Sequence, residues 1–117
     1  MTTVQKLKES LIKDIIEAVG VELVPGGKMS RSIESFMAFL ERKGIRYIEE
    51  FNIHLLGEYR LLLRVFKDEK DEEALVSTVG AFLSVAILNG WISEELLTFW
   101  EVVGPNEYFT RKTDSLN

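Results

Sequence analysis

The 117-residue sequence has no cysteine, one histidine and two prolines. Without cysteine there can be no disulfide, zinc-thiolate site, iron–sulfur ligation or thiol catalysis. A single histidine cannot supply a His–His metal pair. Positive charge is also in deficit. Nineteen acids face fourteen Lys and Arg, for a net charge of −5. That balance disfavours non-specific adhesion to nucleic acid or to an anionic membrane. The chain is not poor in apolar residues: 46% are hydrophobic, which argues against intrinsic disorder. The length suits one domain. The expectation is a single compact domain over residues 1–109 and a flexible polar tail over 110–117.

Long uninterrupted apolar runs are scarce as well. Lys8, Glu9, Lys13 and Asp14 break the opening segment, which reads as an amphipathic helix rather than a secretory leader. Residues 74–92 carry no charge and have the length of a membrane span. Yet the segment contains Ser77, Thr78, Ser84 and Asn89, and both flanks are acidic. A span usually has a Lys/Arg excess on its cytoplasmic side. The reading is a central helix buried in a cytoplasmic protein, without a membrane role.

What is present is mostly helical periodicity. Val4, Leu7, Leu11, Ile15 and Val19 form one stripe over residues 3–19, closed by Gly20. Residues 21–24 read as a short extended stretch before the Pro25-Gly26-Gly27 turn. A second helix starts near Ser30 or Ser32, buries Ile33, Phe36, Met37 and Leu40, and ends at Gly44. Residues 72–89 form a third helix, capped by Asp68 or Asp71 and ended by Gly90. A fourth begins at Ser93, is apolar nearly all round and stops at Gly104-Pro105.

Residues 45–67 satisfy two periods. With period two, Tyr47, Phe51, Ile53 and Leu55 share a face, and so do Tyr59, Leu61, Leu63 and Val65 after Gly57-Glu58. Gly-Glu suits a type II′ hairpin turn. With period 3.6, Ile48, Phe51, Leu55, Tyr59, Leu62 and Phe66 form a stripe, but Gly57 falls mid-helix. Aromatic and β-branched enrichment favours the hairpin. The expected fold is therefore α+β and mainly helical: helix, helix, β-hairpin, helix, helix around one core. The alternative is an all-α bundle of five helices.

No motif specifies an enzyme. Gly26-Gly27-Lys28-Met29 lacks the earlier glycine and the following Ser or Thr of a phosphate-binding P-loop. His54 has no defensible Ser or Asp partner and falls on the polar face of the expected hairpin. The acids over 68–73 lack calcium-loop spacing and read as a solvated turn. The helix containing Glu34, the Gly44-Ile45-Arg46-Tyr47 stretch and the apolar run 59–66 resemble, in that order, the opening of restriction-endonuclease-like folds. The resemblance implies a metal held by acids on successive strands. The run 59–66 contains no acid, so that mechanism has no support.

Two patterns point to binding. Ser77, Gly80, Ala81 and Ser84 fall on one helical stripe, whose small side chains would let another helix approach closely. A two-fold contact between copies would use such a self-complementary stripe. Arg46, Arg60 and Arg64 would line the polar face of the hairpin as a basic strip for nucleic acid. The expected function is a non-enzymatic protein–protein interaction or assembly module. It would act as a homodimer through the stripe or with another subunit, and without cofactor or metal. A nucleic-acid-associated protein using the arginine strip is the alternative, and a metal-dependent or small-ligand enzyme the second.

Overall fold

A computed structural model of the chain describes residues 1–20 and 26–103. Among these residues there are five helices and no strand. They are α1 (Val4–Val19), α2 (Lys28–Arg42), α3 (Ile53–Phe66), α4 (Glu69–Leu88) and α5 (Glu95–Thr98). A single 3-10 turn (Ile48–Glu50) precedes α3, and α5 runs on into one π turn (Phe99–Val103). The extended reading of 21–24, the Gly104-Pro105 stop and the tail lie outside the described residues.

The helix ends follow local chemistry. Thr3 Oγ1 accepts the Lys6 amide at 3.1 Å, which caps α1. Gly20, with φ 79°, closes its other end. Gly44 ends α2 in a Schellman turn, with Ile45 N donating to Leu40 O and Gly44 N to Glu41 O. Asp68, of the two candidate caps, accepts the Asp71 amide at 2.9 Å. The start of α2 differs from expectation. Gly27 is its cap, and Ser30 and Ser32 lie inside the first turns. Ser32 Oγ donates back to Lys28 O at 3.0 Å.

The hairpin is the main correction. Residues 53–66 form a continuous helix, and Gly57 sits within it, buried. The five-helix alternative is the architecture that fits. Asn52 starts α3 by accepting the Leu55 amide on Oδ1 at 2.9 Å. A mid-helix glycine costs about 1 kcal/mol relative to alanine. Against that, Leu55, Leu56, Tyr59 and Leu63 all reach the core, each burial contributing about 1.5–3 kcal/mol. Four burials outweigh one glycine. With no strand over 59–66, the endonuclease-like resemblance also loses its structural basis. Among the described residues the one trace of β geometry is an isolated antiparallel bridge between Thr3 and Tyr47.

The centre of the core is α4. It packs against α1, α2, α3 and α5, and Val79, Phe82, Leu83 and Ala86 have no exposed surface. Phe36 links the layers, its ring 5.3 Å from Phe82, 5.1 Å from Tyr59 and 6.1 Å from Phe51. An all-round apolar helix from Ser93 onward should be buried, and it is so only in part. Leu96 and Leu97 are half-buried, and Trp100 is the residue that enters the core. No helix among the described residues is long and apolar enough to cross a membrane.

Candidate docking groove between helices α2 and α3

Both α2 and α3 pack on α4, but their backbones barely approach each other. They run antiparallel. Lys43, past the end of α2, pairs with Glu58 near the start of α3 at 2.9 Å. Ser35 Oγ and the Tyr59 hydroxyl lie 3.0 Å apart across the gap. Phe39 and Tyr59, with ring centroids 4.7 Å apart, close the bottom. Above them lies a groove of about 500 Å³, its walls including Ala38, Leu62 and Leu63. Phe66, 74% exposed, also lines it. Large apolar side chains left this exposed on a groove wall are candidates for contact with another molecule.

Cations rim the groove. Arg42, Lys43 and Lys67 line it with one acid, Glu58. A smaller cavity of about 150 Å³ shares Ser35 and Lys67 with it and lies toward the start of α2, where it meets Lys28, Arg31 and Asp71. Along the two cavities five cations face two carboxylates, a local excess of three positive charges on a chain of net charge −5. Burial raises the Tyr59 hydroxyl above its ordinary pKa, with Ser35 and Arg42 opposing the shift. The groove floor therefore offers a neutral hydroxyl.

The small-residue stripe is in a different place. Ser77 is exposed, and Gly80, Ala81 and Ser84 are half-buried. Trp100 covers the stripe at Gly80: a Cβ there would lie 3.9 Å from the indole. Its Nε1 donates to Val76 O at 2.9 Å. Ser84 Oγ turns inward to Gly80 O at 2.9 Å. At Gly80 the close approach is thus made by the chain's own Trp100, in the turn that follows α5.

The three arginines are not assembled into a strip. Arg46 lies at the cleft beside the start of α1, where its carbonyl accepts the Val4 amide. Arg60 faces α4, half-buried, with Nε 3.5 Å from Glu72 Oε1 and its guanidinium 5.7 Å from the Trp100 ring centre. That Nε makes no hydrogen bond among the described residues. Burial holds the guanidinium below its ordinary pKa, Glu72 opposing and Arg64 adding to the shift. Arg64 itself is exposed one turn further along α3. His54 is exposed in the first turn of α3. No three His, Asp or Glu side chains gather to hold a metal among the described residues.

Sequence reasoning missed the groove residues Ala38, Arg42, Lys43, Leu62, Phe66 and Lys67 as a site. The available signal was the helical stripe ending at Leu62 and Phe66, set against the basic end of α2. No protein-family model, curated protein or solved structure matches the chain.

Proposed function

We propose that this protein is a non-enzymatic interaction module that receives a helical segment of another protein in the groove between α2 and α3. The observation that carries this reading is the exposure of Phe66 on the wall of a partly apolar groove with a charged rim. A groove bounded by two helices suits helix-in-groove recognition, in which apolar anchors fill the floor and polar contacts form the rim. The reading places the partner protein in the cytoplasm, as a cysteine-free chain allows.

The test is retention of proteins from source cells by three immobilised forms: wild type, Phe66→Asp and Ser77→Arg. Both substituted residues are exposed, so both variants are expected to fold. The expected outcome is a protein retained by wild type and Ser77→Arg and lost with Phe66→Asp. Loss with Ser77→Arg alone would move the contact to α4 and restore the small-residue stripe. Light scattering of the same three forms reads self-association directly.

A further inference from the structure

We infer that the segment received by this groove is an acidic amphipathic helix, an inference that rests on the helix-in-groove reading above. The basis is a charge contrast within the molecule. The chain as a whole is acidic, while the two neighbouring cavities along α2, which share Ser35 and Lys67, concentrate Lys28, Arg31, Arg42, Lys43 and Lys67. Of these, Lys43 is engaged by Glu58. A basic strip on an acidic protein attracts anions locally and repels them elsewhere, which orients an approaching acidic segment onto that one face.

The dimensions suit a short helix. From Lys43 back to Lys28, α2 and its cap span about 22 Å at 1.5 Å per residue, which matches a helix of about 15 residues. The walls at Leu62, Leu63 and Ala38 would take apolar side chains at i, i+3, i+4 and i+7 spacing. Acidic side chains on the flanks of that helix would reach Arg42 and Lys67 on the rim. A nucleic acid fits less well. Among the described residues Phe66 is the one aromatic ring open at this groove, whereas single-strand binding stacks successive bases on several rings. The net negative charge also opposes a long polyanion.

The experiment uses the full chain and three fluorescein-labelled probes of about 15 residues, the length of the groove. One peptide carries leucines at i, i+3, i+4 and i+7 with glutamates on the flanks. The second has lysine in place of every glutamate. The third is a duplex DNA. Fluorescence anisotropy gives the affinities, and amide chemical shifts locate the contact. The expected result is that the glutamate peptide binds at least tenfold more tightly than the lysine peptide, with shifts centred on Ala38, Leu62 and Leu63. The exposed double variant Arg42→Glu/Lys67→Glu should invert that order while its circular dichroism stays unchanged. An equal or opposite preference in wild type overturns the acidic partner but leaves the groove intact as a docking surface. Tighter DNA binding at the same residues overturns it in favour of nucleic acid. Failure of both peptides overturns the partner class. In that case Phe66→Asp retention from source cells decides separately whether the groove is used at all.

Discussion

Helices α3 and α4 are the two most apolar long helices among the described residues, and they have different surroundings. The middle of α4 meets α1, α2, α3 and α5, with Trp100 over Gly80, and the helix opens to solvent at Ser77 and at its last residue, Leu88. By contrast α3 buries one face on α4 and leaves Phe66 exposed beside the gap to α2. Apolar content therefore does not by itself mark a contact surface. What marks it is apolar surface that the other described residues leave uncovered. The stripe on α4 has the composition of an interface and, at Gly80, an internal neighbour in Trp100. Phe66 at the end of α3 has no such cover among the described residues.

The comparison can be broken most strongly at Trp100. Trp100→Ala removes the indole cover and its hydrogen bond to Val76, and should cost about 3–5 kcal/mol in chemical denaturation. A loss within 0.5 kcal/mol would show that α4 does not depend on this cover. Light scattering of the same variant asks whether the uncovered stripe then recruits a second copy.

A smaller contrast lies within α3. Leu56 is fully buried, and Leu56→Ala should cost about 2–4 kcal/mol. Phe66→Ser, on the exposed end of the same helix, should stay within about 0.5 kcal/mol of wild type. Equal losses would mean that the end of α3 is core rather than open surface. Backbone chemical shifts over 53–66 should be helical throughout, including Gly57.

The smallest expected effect concerns the far end of the molecule. The Glu49 carboxylate accepts hydrogen bonds from its own backbone amide and from the Thr2 amide, and these hold its pKa below the ordinary value. A depressed carboxylate pKa means that the contribution is present above the unfolded value and is lost as pH falls through the folded one. Acidification should therefore loosen Thr2 and Ile48 first, seen as faster amide exchange there. Glu49→Gln should remove that pH dependence and leave the groove resonances unmoved.

Much of the helical frame was legible because helix ends are local. Gly20, Gly44 and Gly90 each stop or follow a helix with positive φ, as their spacing after apolar stripes implied. Residues 45–67 were not legible, because Leu, Tyr and Phe satisfied both periods and Gly57 read naturally as a turn. The deciding term was tertiary: Leu55, Leu56, Tyr59 and Leu63 are all buried in one core, where α3 packs on α4 and Tyr59 meets Phe36 and Phe39 of α2. The arginine strip failed for the same reason. Arg46, Arg60 and Arg64 alternate acceptably on a strand, but on a helix Arg60 turns to Glu72 and Trp100 while Arg46 stays in another corner. The groove itself depends on how far α2 and α3 splay over α4, which no local pattern encodes.

The most direct measurement of the central claim is photo-crosslinking from two positions in otherwise identical chains. Benzoylphenylalanine would replace Phe66 in one and Ser77 in the other, both exposed sites, with irradiation inside source cells. The account predicts a discrete adduct with another protein from position 66 and none from position 77. An adduct from position 77 alone, above all one of two copies of this chain, would contradict it.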